Sequence, residues 1–173
     1  MRLKNKVIAL LVADGVEDLE FYVPYMRIQE EGGIPIGAAV ELKTLHGKNG
    51  LPISPDKTIE SLKAEDLSGI ILPGGWAPDK LRRFEVVKNI VREMDKAGKV
   101  IGIICHGGST AISAGIVRKD ESVTGSTGIK DDLVNAGGTW VDEPAFRDGN
   151  HVWGRVVSDI PDFCRELIKA LEG

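Results

Sequence analysis

Cysteine is nearly absent: among 173 residues only Cys105 and Cys164 carry a thiol. Two cysteines cannot build the disulfide framework of a small secreted protein, and they fit a reducing interior better. No Lys/Arg-rich block occurs, and the formal net charge is −4 with a pI near 5.4. That balance argues against a nucleic-acid or membrane-surface role. No apolar run approaches the ~18 residues of a membrane span. The basic start "MRLKNK" precedes an apolar stretch, but Val7 to Ala13 is short for a secretory signal and runs into the acidic "DGVEDLE". A buried strand fits it better, and the expected location is cytoplasmic. Repeats, low-complexity tracts and evident linkers are missing too.

What is present is an alternation of short apolar runs with helix-period segments. Apolar residues make up 42% of the chain, enough for a core that removes roughly 70% of the unfolded surface from water. Val7–Ala13, Ile34–Val40, the run "GIIL" at 69–72 and Val100–Ile104 read as strands covered on both faces. Helices are expected near 17–31, with Pro24 kinking it or marking its first turn, and near 84–96, 107–117, 130–136 and 159–172. Val87, Ile90, Val91 and Met94 fall at i, i+3, i+4 and i+7. Residues 43–59 read as a strand or hairpin excursion, and 140–156 as a hairpin. Strands alternating with helices imply an α/β sandwich around a mainly parallel sheet.

In such sheets ligands bind beyond the carboxyl ends of the strands. Three strand ends carry unusual residues: Asp14-Gly15-Val16-Glu17-Asp18, "PGGWAPD" at 73–79, and Cys105-His106-Gly107-Gly108. Neither G-x-G-x-x-G nor a Walker pattern occurs, and the first turn is rich in carboxylates, which argues against a phosphate cradle. A thiol at a strand end is often only a small buried residue. Here it has the form of a nucleophile elbow, a strand and then a nucleophile with a glycine two residues on. A helix N-terminus would favour thiolate there, and a tight turn would free backbone N–H groups for an oxyanion. Asp14, Glu17, Asp18 and Glu20 can be ordinary partners of a first helical turn, or one of them can face the sulfur; local sequence leaves both open. His46 and His151 read as loop or surface residues, no metal-ligand spacing emerges, and Cys164 lies on the apolar stripe of the last helix.

At these residues the chain resembles the ThiJ/PfpI superfamily, and specifically its PfpI-type intracellular proteases. The likeness is carried by "DGVEDLE", "GKNG" at 47–50, "LPGGWAPD" at 72–79, "IICHGG" at 103–108, "GIKDDLVNAG" at 128–137 and "DGN" at 148–150, in that order. It implies a flavodoxin-like three-layer α/β sandwich, similar to class I glutamine amidotransferases, with residues 1–173 as one domain. By position it implies Cys105 as nucleophile, His106 as its base and Glu17 as the carboxyl bonded to the thiolate. Gly75 and His106 would offer oxyanion N–H groups, and Gly107 joins Gly75 among the oxyanion and substrate-binding positions. Asp79 stands where PfpI-type proteases carry a Glu that completes a triad in a neighbouring subunit, so a homo-oligomer is expected, a dimer or a hexamer.

Several positions depart from the family pattern. Asp79 is one methylene shorter than Glu, roughly 1.5 Å of reach. Asn49 replaces a His in "GKHG", Ser126-Thr127 replaces Tyr-Pro, and Gly108 replaces a Pro. The later His-x-Glu of class I amidotransferases is missing, which argues against that activity. The leading expectation is therefore a cysteine hydrolase cutting peptide or amide bonds through an acyl-enzyme. The alternative is glyoxalase or deglycase chemistry on a small carbonyl substrate such as methylglyoxal, or on its protein adducts, through a hemithioacetal. A third is a redox sensor or chaperone in which Cys105 is oxidised to sulfinic acid. No cofactor or metal is expected for any of them.

Overall fold

A computed structural model describes residues 1–173. The apolar runs form a sheet in which β1 (Val7–Leu11) lies between β2 (Ile34–Ala39) and β6 (Gly69–Leu72), and β6 pairs with β7 (Val100–Ile104). Beyond β7 come β11 (His151–Gly154) and, at one edge, β10 (Ala145–Asp148); β5 (Lys57–Thr58) forms the other edge. Every pairing in this seven-stranded sheet is parallel except β10 with β11. Burial on both faces explains why β6 and β7 are unbroken apolar runs without alternation.

The helices follow from the same pattern. On one face α1 (Asp18–Glu30) packs against α6 (Ile160–Glu172). The other face holds α3 (Glu85–Lys96) and α4 (Gly108–Ala114), with α5 (Lys130–Asn135) packed on α4, and helices on both faces make the expected three-layer sandwich. The stripe Val87, Ile90, Val91 and Met94 is buried as its spacing demands, and Cys164 is core. Pro24 sits inside α1, which ends at Glu31 where Gly32 takes φ +81°. No helix is long and apolar enough to cross a membrane.

Three features were not anticipated. A short helix α2 (Ala77–Leu81) follows the Pro-Gly-Gly break, where Pro78 stands in the first turn. The expected 140–156 hairpin is confined to β10 and β11. Thr139 and Trp140 (β9) instead pair parallel with Ser122 and Val123 (β8) in a separate small sheet. Residues 43–59 do make a hairpin excursion, with β3 (Leu45–His46) antiparallel to β4 (Pro52–Ile53) before edge strand β5. The order of the sheet switches sides between β1 and β6, since β2 lies to one side of β1 and β6 and β7 to the other. The turns after β1, β6 and β7 therefore converge on one crevice.

Candidate active site

Cys105 follows β7 with φ +56°, a left-handed conformation rare for a side-chain-bearing residue. Such a backbone costs about 1–3 kcal/mol and persists where surrounding packing imposes it. The packing is visible one turn on: a Cβ at Gly107 would lie 2.0 Å from the Leu72 carbonyl oxygen, so only glycine lets the turn press against β6. The result is the expected elbow, which lifts the thiol to the floor of a cleft of about 810 Å³. Glu17, Glu20, Lys48, Trp76, His106 and Asp79 line the same cleft, as do Gly75 and the hydroxyls of Ser109 and Ser126. Gly107 does not line it; its role is the close packing just described, which corrects its expected place among the substrate-binding residues.

The carboxyl that meets the sulfur is Glu20. A side chain at Gly74 would lie 2.6 Å from Glu20 Oε2 and 2.9 Å from Cys105 Cβ, so the two groups share one small space. Glu20 is fully buried, and its Oε2 accepts the Gly74 N–H at 2.6 Å. Its Oε1 is buried without an oxygen or nitrogen partner. Burial pushes Glu20 up to about 7, against the pull of the Gly74 N–H, a hydrogen bond with Cys105 and the Lys48 charge. Glu17, expected in this role, stands one turn earlier at the helix N-cap. Its carboxylate takes Asn49 Nδ2 at 3.1 Å and lies 3.8 Å from Lys48 Nζ. The register decides this: Glu20, Pro24 and Ile28 share the buried stripe of α1, and Glu17 precedes the helix.

The expected thiolate at a helix N-terminus is also corrected. Burial first, then the Glu20 charge, push the Cys105 thiol up to about 12, outweighing a hydrogen bond from the His106 N–H. His106 Nδ1 lies 3.4 Å from the sulfur. Burial, and then the Lys48 ammonium, lower the His106 ring below its ordinary value, which favours a neutral imidazole. Its Nε2 makes no hydrogen bond within the chain and points toward Gly128. Asp79 lines the rim but is mostly exposed and ion-paired with Arg83 one turn along the chain. Gly75, at φ +73°, has an N–H that no group in the chain accepts. What the single chain assembles is therefore a buried thiol–carboxyl pair, an imidazole beside it and a free N–H on the facing turn.

Of the two histidines expected in loops or at the surface, one departs from that pattern. His46 is exposed, at the end of β3. His151 is completely buried, with Nδ1 2.5 Å from Glu121 Oε1 and Nε2 2.8 Å from Asp95 Oδ1. It belongs to the far end of β11 and takes no part in the cleft.

Comparison with known proteins identifies the family and the fold. The sequence model of the DJ-1/PfpI family matches residues 6–170. A Pyrococcus horikoshii protein named deglycase PH1704 is 39% identical over 165 residues, covering 95% of this chain and 99% of that one. The Pyrococcus furiosus protein named deglycase PfpI is 37% identical over 165 residues, again 95% and 99%. A Bacillus subtilis protein provisionally named a cysteine protease is 31% identical over 169 residues, 97% and 99%. Among solved structures, a two-domain Anabaena variabilis protein with DJ-1/ThiJ/PfpI-like and ferritin-like domains superposes with TM-score 0.93 at 30% identity. It matches 96% of this chain and 48% of that one. Schizosaccharomyces pombe DJ-1 shares the fold, with TM-score 0.85 at 23% identity over 94% and 90% of the two chains.

Proposed function

The chain belongs to the DJ-1/PfpI family, and from that premise we propose that it is a cysteine-dependent enzyme acting on carbonyl substrates as a deglycase or glyoxalase. One observation carries the reading: within a single chain Cys105 is coupled to a buried carboxyl, Glu20, while His106 Nε2 has no orienting partner. The relatives named as deglycases support it.

The chemistry follows from the pair. The Cys105 sulfur adds to the aldehyde carbon of a 2-oxoaldehyde as its proton passes by way of Glu20 to the new oxyanion, which the Gly75 N–H stabilises as it forms. Ionised Glu20 then takes the hydrogen of that carbon as a proton and delivers it to the neighbouring carbon, while the hydroxyl proton moves from the first oxygen to the second, turning the hemithioacetal into a 2-hydroxy thioester. Water cleaves the thioester, releasing a 2-hydroxy acid and restoring the thiol. Atoms and electrons balance without an external oxidant. A carboxyl near 7 suits this traffic, because it can both take and give a proton at neutral pH.

A second reading is peptide or amide hydrolysis, favoured by the His106 ring against the sulfur and by its unpartnered Nε2. It calls for a neighbouring subunit whose Asp79 reaches that nitrogen, and hence for a homo-oligomer. The test is purified protein assayed with methylglyoxal and with a casein-type substrate, each against Cys105→Ser, Glu20→Gln and Asp79→Ala. Carbonyl turnover lost at least 100-fold in the first two variants and kept in the third supports the first reading. Casein cleavage that needs Asp79, in a protein that light scattering shows to be oligomeric, replaces it with the second.

A further inference from the structure

Lys48 is held over the cleft more firmly than a surface lysine ordinarily is. Its loop, 46–51, is pinned by Asp18, a buried carboxylate that accepts the backbone N–H groups of Asn49 at 2.7 Å and Leu51 at 2.9 Å, and Asn49 Nδ2 at 3.1 Å. Although burial pushes Asp18 up, those backbone bonds bring it below the usual carboxylate range. The Lys48 N–H itself donates to the Val16 carbonyl at 2.7 Å, tying the loop to the turn after β1. From that anchor the ammonium sits 3.8 Å from Glu17 and 5.9 Å from the centre of the Trp76 ring. The loop fixes the backbone of Lys48, while its charge stays half-exposed on the wall of the cleft that Cys105 and Glu20 also line.

We propose that Lys48 is a positioning residue for the charge of the site: it sets the pH at which the Cys105–Glu20 pair gives up its first proton, and so the pH at which the sulfur becomes reactive. This rests on the reading of Cys105 and Glu20 as a working pair. When that pair holds two protons the sulfur is a thiol and inert. Once one is lost, the other stays mostly on sulfur, and a small, fixed fraction of molecules carries thiolate beside a protonated Glu20. A cation on the cleft wall favours the singly protonated pair; a nearby anion opposes it. The groups facing the pair are Glu17 from the turn before α1, the Gly74 N–H after β6, His106 after β7 and Lys48 from the β3–β4 loop, with Asp79 and Lys80 of α2 on the same cleft. Glu17 opposes loss of the proton, and the Lys48 ammonium acts on Glu20 in the opposite sense. Burial first, and then the same ammonium, lower His106 below its ordinary value and disfavour its protonation.

The experiment reads Cys105 without any substrate. Wild type, Lys48→Met, Lys48→Arg and Glu20→Gln are alkylated with neutral iodoacetamide from pH 5.5 to 9 in 20 mM and 500 mM salt, and the Cys105 peptide is quantified. Wild type should show a limb near pH 7 that Glu20→Gln lacks. In Lys48→Met the limb should move up by about half a unit, a roughly threefold slower reaction at pH 6. Lys48→Arg should keep the wild-type curve, and high salt should narrow the gap between wild type and Lys48→Met. A wild-type limb that stays put in Lys48→Met, or an equal shift in Lys48→Arg, overturns the inference while leaving the Cys105–Glu20 pair standing. A limb that survives in Glu20→Gln removes the pair itself, and the role of Lys48 with it.

Discussion

The cleft and the far end of β11 each bring a histidine against buried acidic groups, and they are built on opposite principles. At β11 both ring nitrogens of His151 face carboxylates. Glu121 also accepts Trp153 Nε1 at 3.1 Å and the Arg118 backbone N–H at 2.9 Å, and Asp95 accepts Arg118 and Asn150. No buried side-chain polar atom there lacks a partner, as buried groups require. In the cleft Glu20 Oε1 has no oxygen or nitrogen partner, His106 Nε2 has no hydrogen bond, and Cys105 holds a strained backbone. Residue types alone do not separate a structural cluster from a reactive one; unspent hydrogen-bonding capacity beside open space does.

The largest test of this contrast is between the two thiols. Cys105 opens onto the cleft and Cys164 lies in the core, with burial pushing each up to about 12. Native iodoacetamide labelling mapped by peptide should favour Cys105 by more than about 100-fold, because access and Glu20 act only there. Faster labelling of Cys164 would break the assignment. Removing the imidazole at β11 should instead cost stability. His151→Ala leaves a buried Glu121 short of a partner, about 3–5 kcal/mol, and melting should fall by about 8–15 °C. The rate of Cys105 alkylation should hold steady in that variant; a matched loss of both would mean that the two regions are not separate.

Glu20→Gln sharpens the comparison through pH. The folded Glu20 sits near 7 against 4.5 for its ordinary value. A raised acid binds its proton more tightly in the folded state, so its favourable contribution is complete below pH 4.5 and is lost as pH climbs through 7. Above pH 7 the ionised, buried Glu20 costs about 3 kcal/mol. Glu20→Gln should therefore match wild type in denaturant stability at pH 4 and exceed it by up to that amount at pH 8. A constant difference across the range would mean that Glu20 does not titrate in the folded protein. The smallest effect is expected at the exposed rim: Asp79→Ala removes a surface pair with Arg83 worth under about 1 kcal/mol. Its melting temperature should stay within about 2 °C of wild type, a change that scanning calorimetry can bound. A larger fall would show Asp79 buried in an assembly.

Much of the architecture is already legible in residue order. Val100–Ile104 has to be a strand buried on both faces, and the Val87–Met94 stripe has to face a core, because hydrophobic period reports burial directly. The elbow is legible for a similar reason: a glycine two residues after Cys105 permits a turn that few other residues allow. Which acid served the thiol was decided only by tertiary structure. Glu17 and Glu20 are the same residue type in one acidic segment after the first strand, and the choice depends on where α1 begins. One turn of helix carries Glu20 onto the inward stripe with Pro24 and Ile28 and leaves Glu17 at the mouth with Lys48. His151 shows the same limit, since its partners lie 30 and 56 residues away in sequence. Periodicity records which side of an element is buried; what waits on the other side of that contact is set by how distant elements pack.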